Sequence, residues 1–218
     1  MNDPNEKLTE IAKQVRTCQR CALHTTRKNS VPGEGRANTD VMFIGEGPGY
    51  HENEQGRPFV GQAGKFLAEL LHAANLAREN VFITNVVKCR PPSNRDPEPG
   101  ELATCNEFLE QQIEAINPRV IVTLGRFSMG KFLPLARISE AHGKPVWVKD
   151  RLIVPMYHPA AALHQPKLKP TLLHDFSCLP EVIRKAVEAH EAAKPAPLKT
   201  PENKESHPAE EAKQMDLF

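Results

Sequence analysis

The stretch VMFIGEGPGYHENEQGRPFVG, Val41 to Gly61, decides the fold. It opens with four apolar residues in a row and ends that run at Gly45, the character of a strand covered on both faces. Gly45, Gly47 and Gly49 then make a tight turn beyond the strand's carboxyl end. Two more unbroken apolar runs, VFITNVV from Val81 and RVIVTLG from Arg119, have the same character. Helical spacing separates them. Phe66, Leu67, Leu70, Leu71 and Ala74 share one face of a helix from Gly64, and a second helix is expected from about Glu101 to Ile116. PVWVKDRLIVPMYHP folds back at Lys149-Asp150, so that its second arm enters the sheet. Helices are also expected around Leu8–Val15, Arg126–Leu133 and Thr171–Ala189. Unalternating strands separated by helices predict a three-layer α/β/α sandwich around a mostly parallel, four-stranded sheet. In such folds ligands sit beyond the carboxyl ends of the strands. GEGPG, TNVVKC and YHPAA all fall there.

A glycine turn after a strand first suggests a phosphate cradle. The dinucleotide fingerprint needs G-x-G-x-x-G opening directly into a helix. Here Tyr50 holds the third required position, Pro48 interrupts the turn, and the next clear helical pattern begins only near Gly64. No Gly-Lys-Ser/Thr follows, so a Walker loop fails as well.

The 28 Lys plus Arg nearly balance 27 Asp plus Glu. Residues 186–218 carry 4 basic and 7 acidic side chains, which leaves a mildly basic body compatible with a nucleic-acid partner. MNDPNEKLTE lacks the apolar core of a signal peptide, and no apolar run approaches the roughly 20 residues that span a bilayer. A cytoplasmic protein with reduced cysteines and no membrane partner is expected. Cys18 and Cys21 form a C-x2-C pair, and Cys89 and Cys105 follow. Four cysteines in two groups suit tetrahedral zinc or an iron–sulfur cluster, and spacing alone does not choose. Cys178 falls outside the pattern and reads as a small buried hydrophobe.

Taken in order, GEGPG, Glu52, GRPFVGQAGKFL, TNVVKCRPPSNRDP and HPAAAL from His158 resemble the motifs of family 4 uracil-DNA glycosylases. The resemblance spans roughly Cys18 to Leu163. It implies a monomeric enzyme that flips uracil out of single- or double-stranded DNA and hydrolyses its N-glycosidic bond, releasing uracil and leaving an abasic site. It also implies a 4Fe-4S cluster on Cys18, Cys21, Cys89 and Cys105. Under the resemblance, His158 stabilises the departing base at O2, Asn85 reads O4 and N3–H, and Phe59 stacks on the ring. Glu46 and Gly47 would contact uracil and the incoming water, and Glu52 would crowd the base edge where thymine carries its methyl group. Other branches of the superfamily place an Asp where Gly47 stands, so the water's partner stays open between Glu46 and Glu52. Leu163 is the candidate wedge, and Arg90, Arg95, Lys167 and Lys169 are candidates for phosphate contacts.

From about His190 the composition turns to Ala, Pro, Lys and Glu. A catalytic domain over 1–189 followed by a disordered linker over 190–213 is expected. Gln214-Met215-Asp216-Leu217-Phe218 resembles the pentapeptide that binds bacterial sliding clamps, with Gln in a polar notch and Leu-Phe in an apolar pocket. Gln214, Met215, Leu217 and Phe218 are therefore candidate clamp-binding residues.

Overall fold

The structure is a computed structural model that describes residues 3–192. Of the expected linker only residues 190–192 fall inside it, and they continue the last helix. The rest of that segment and the pentapeptide Gln214–Phe218 lie outside the described residues. In chain order the elements are α1 (Pro4–Thr17), β1 (Glu34–Gly35), β2 (Val41–Gly45), α2 (Tyr50–Gln55), α3 (Gln62–Ala73), β3 (Phe82–Asn85), α4 (Pro99–Ile116) and β4 (Val120–Leu124). They continue with α5 (Arg126–Phe132), α6 (Ile138–Ala141), β5 (Val146–Val148), β6 (Arg151–Met156), α7 (Pro159–His164), α8 (Lys169–Ser177) and α9 (Leu179–Ala192).

The sheet has six strands in the order β1-β3-β2-β4-β6-β5, not the four expected from sequence. The four inner strands are parallel, and the extra two are antiparallel edges. β1 is only two residues long and carries no periodicity to read. β5 is the first arm of the hairpin that turns at Lys149, whose φ of 56° is the left-handed value such a turn needs.

Successive residues of the inner strands feed opposite layers, because side chains alternate across a sheet. Val41, Phe43, Val120, Val122, Leu152 and Val154 pack against α3, α8 and α9. Met42, Ile44, Phe82, Ile121 and Ile153 pack against α4 and its Leu109, Ile113 and Ile116. Met42, Phe43 and Ile44 are all 0% exposed, and burying each contributes roughly 1.5–3 kcal/mol. α1 starts where Asp3 accepts the Asn5 N–H at 3.1 Å, and it lays Ile11 and Val15 on Phe108 and Ala115 of α4.

The last expected helix is two helices, α8 and α9, which meet at Cys178. Cys178 is exposed, which corrects its reading as a buried hydrophobe. Phe176 and Leu179 on either side of the junction take the core positions, and Cys178 between them is left exposed.

Candidate active site at the strand ends

Sheet register brings the three expected segments together. Gly45 pairs with Asn85, and Leu124 pairs with Met156 two residues before His158. A cavity of about 480 Å³ opens beyond these ends, walled by Glu46, Gly47, Glu52, Phe59, Asn85 and His158. This size falls within the range of small-molecule sites. Gly45 has to be glycine, because a Cβ there would lie 2.4 Å from Asn85 Oδ1 and 2.7 Å from Phe59 Cζ.

Asn85 is 2% exposed, and its Oδ1 has no hydrogen-bond partner among the described residues. Buried amide oxygens are almost always bonded, so an unpaired one in a cavity wall marks a place for a donor. The backbone of Asn85 is held from behind. Lys88, itself 1% exposed, donates through Nζ to the Asn85 carbonyl at 2.8 Å, to Thr84 Oγ1 at 2.6 Å and to Gln112 Oε1 at 2.7 Å. Burial pushes this ammonium down to a pKa of about 7. No sequence pattern marks Lys88, because its acceptors come from both β3 and α4.

His158 caps α7, with Pro159 in the first turn. Its Nδ1 accepts the Ala160 N–H at 3.1 Å, so in the neutral ring the proton sits on Nε2. Burial drags its pKa down to about 4, and the nearby Glu52 carboxylate only partly opposes this. The imidazole is therefore a neutral donor at physiological pH. The Phe59 ring lies 5.6 Å from the imidazole, centroid to centroid, at an interplanar angle of 29°.

The two glutamates differ. Glu52 accepts the Gly49 N–H on one oxygen at 3.1 Å and the Val60 and Gly61 N–H groups on the other at 2.9 Å each. It stitches the GEGPG turn to the GRPFVG loop. Glu46 has no hydrogen bond to its carboxylate among the described residues. Burial raises its pKa, Asp96 adds to the rise, and Arg126 opposes it.

Of the remaining candidates only Arg95 is part of the cavity wall. Leu163 is 47% exposed on α7. Arg95 lines the cavity, yet its guanidinium is forked onto Glu101 at 2.9 and 2.7 Å. Arg90 donates to Asn94 at 2.7 Å and lies over the exposed Tyr50 ring. Lys169 pairs with Glu69 at 3.0 Å, and Lys167 lies in the 3-10 turn Pro166–Leu168.

Cys18, Cys21, Cys89 and Cys105 line one small cavity on the α1–α4 side. Arg27 donates to Cys89 Sγ at 3.1 Å, and the Lys88 N–H donates to Cys105 Sγ at 3.3 Å. Burial raises the Cys89 thiol and pushes that of Cys105 to about 11. Among the described residues no three His, Cys, Asp or Glu side chains converge on one ion-sized point. Four sulfurs lining one cavity, two of them receiving N–H donors, fit a group held by thiolates.

A neutral histidine, an unpaired amide oxygen and an aromatic ring meet at the ends of a parallel sheet, an arrangement suited to a flat, hydrogen-bonding ligand. Residues 32–177 match the family model described as Uracil DNA glycosylase superfamily. The type-4 uracil-DNA glycosylase of Saccharolobus solfataricus is 45% identical over 188 residues, covering 82% of this chain and 87% of that protein. Its Archaeoglobus fulgidus counterpart is 43% identical, covering 83% and 95%, and that of Thermotoga maritima is 44% identical, covering 83% and 97%. The chain belongs to the uracil-DNA glycosylase superfamily, alongside these type-4 members.

Proposed function

We infer that this protein excises uracil from DNA by hydrolysing the bond between uracil N1 and the deoxyribose C1′, as the first step of base excision repair. The observation that carries the reading is that Asn85, whose Oδ1 has no protein partner, lines the same cavity as His158, whose neutral ring carries its proton on Nε2. Uracil N3–H satisfies the amide oxygen while the Asn85 amide N–H donates to O4. Cytosine presents the opposite pattern and leaves both groups unpaired.

The glycosidic carbon is inaccessible inside a duplex, so the base is rotated out and laid on Phe59. As the bond breaks, its electron pair goes to the base and the sugar gains oxocarbenium character. The His158 Nε2–H bonds O2 more strongly as charge builds there, which lowers the barrier rather than merely tightening binding. Water attacks C1′ and gives up a proton. Glu46 takes it, because its carboxylate is free while the oxygens of Glu52 are committed to three backbone N–H groups. Glu52 shapes the wall at the base edge and acts through that loop. Leu163 fills the gap left by the base, and Lys167, Arg90, Lys169 and Arg95 are the candidates for phosphate contacts, Arg95 and Lys169 by exchanging their present carboxylate partners for phosphate.

The four cysteines would hold a 4Fe-4S cluster, whose part when bound is to tie α1, α4 and the turn after β3 into one unit. Gln214, Met215, Leu217 and Phe218 would tether the monomeric catalytic domain to a sliding clamp and raise its local concentration on replicating DNA. Among the described residues no helix is long and apolar enough to cross a membrane. Excision of uracil from chromosomal DNA would take place in the cytoplasm. The test is incubation with a uracil-containing single-stranded oligonucleotide followed by alkali. Strand cleavage that disappears in His158→Ala supports the reading, and no cleavage by the unmutated protein ends it.

A further inference from the structure

We propose that Arg78 and Glu34 form a remote positioning pair that holds the Phe59 ring in its working orientation, and so set how firmly the flipped base is gripped. The proposal rests on the uracil reading above. Phe59 has a φ of +50°, a left-handed conformation that a bulky aromatic residue keeps only when its surroundings over-determine it. The loop is held from two sides. On one side Gly64 leaves room for the Phe59 carbonyl, since a Cβ there would come within 2.0 Å of that oxygen. On the other, Arg78 Nη1 donates to the Phe59 carbonyl at 3.3 Å, and Nη2 donates to the Pro58 carbonyl.

The guanidinium is itself fixed. Glu34 Oε1 accepts from Arg78 Nε at 3.1 Å and from Nη2 at 2.7 Å. Glu34 also takes a second fork from Arg57, at 2.8 and 3.2 Å. Three consecutive loop residues, Arg57, Pro58 and Phe59, are thus gripped by one carboxylate and one guanidinium. The Arg78 and Glu34 side chains are 26% and 25% exposed, so water screens the pair less than an ordinary surface ion pair. Burial alone would raise the Glu34 pKa, but the bonds from Arg57 and Arg78 outweigh it and hold the carboxyl below its ordinary value.

This arrangement also accounts for β1. A two-residue strand adds little to the sheet, but pairing Glu34 with Ile83 of β3 sets the carboxylate at a fixed distance from Asn85. The stacking ring and the reading amide are then referenced to one strand. Neither Arg78 nor Glu34 lines the cavity, so both act through Phe59. Only a planar fork reaches two carbonyls and a carboxylate at once, and lysine does not replace it.

The test is a double-mutant cycle. Arg78→Met and Glu34→Gln are each made in the unmutated protein and in Phe59→Ala, with the cluster loaded. Single-turnover uracil release from a single-stranded oligonucleotide is measured with enzyme in excess. Affinity for the same oligonucleotide carrying a non-cleavable 2′-fluoro-deoxyuridine gives a second readout for variants too slow to time. In the Phe59 background Arg78→Met is expected to cost about tenfold and Glu34→Gln about threefold, and each less than about twofold on top of Phe59→Ala. Glu34→Gln keeps the shape of the side chain and stands in if Arg78→Met fails to fold, which thermal melting reports. Equal losses in both backgrounds, or single variants as fast as the unmutated protein, overturn the proposal. No uracil release by the unmutated protein would instead overturn the functional reading on which it rests.

Discussion

Lowering the pH should weaken this protein specifically through His158. Its folded-state pKa lies near 4 against an ordinary value of 6.5, and burial is the main cause. The sign follows from proton counting. Between those two values the unfolded chain binds a proton that the folded chain refuses, so stability falls as pH drops from 6.5 toward 4. The full shift corresponds to at most about 3.4 kcal/mol, at roughly 1.36 kcal/mol per pH unit. At pH 5 about 2 kcal/mol of this is already lost. His158→Ala removes the group and leaves a gap whose effect does not depend on pH. Urea unfolding of both proteins at pH 8 and pH 5 should therefore show the histidine protein losing about 2 kcal/mol more than the variant. Ring-proton NMR checks the same quantity directly. A stability difference that is the same at both pH values, or a His158 ring titrating near 6.5, refutes the reasoning, and with it the claim that a neutral imidazole faces the base.

Asn85→Ala should lower kcat/KM for uracil by about 10–100-fold, from the loss of hydrogen bonds in a dry site, while affinity for an abasic-site duplex stays within about twofold; a parallel fall in both would show a structural role instead. Cys89→Ser should lose the visible absorption of the cluster together with uracil release, and an active, colourless variant would separate the cysteines from the site. Deleting Gln214–Phe218 should abolish binding to the host's sliding clamp in a titration while leaving the rate on naked oligonucleotides unchanged.

The inner sheet was readable because β2, β3 and β4 are covered on both faces and therefore appear as unbroken apolar runs. β1 was not, since two residues carry no period and its reason to exist is Glu34 rather than hydrophobicity. Cys178 misled because composition cannot show a helix junction, where two neighbours take the core and the residue between them turns out. Asn85, Phe59 and His158, which line one cavity, stood out in the sequence through the motifs around them. Lys88 and Arg78 escaped for a shared reason: each is defined by acceptors on segments far apart in sequence, which no local pattern joins. Glu52 was noticed, but its engagement by three backbone N–H groups appears only when the two loops meet.

The unpaired oxygen of Asn85 sets a limit on how this molecule can be improved. A protein donor placed against that oxygen would add a hydrogen bond worth about 0.5–1.5 kcal/mol. A neighbouring serine or a trapped ordered donor that filled the gap would raise the melting temperature and would look, in any screen for hardiness, like progress. It would also occupy the place that the proposed function assigns to uracil N3–H. Searches for sturdier variants that score only survival to heat will therefore tend to collect molecules that no longer see the lesion, so the selection has to include uracil.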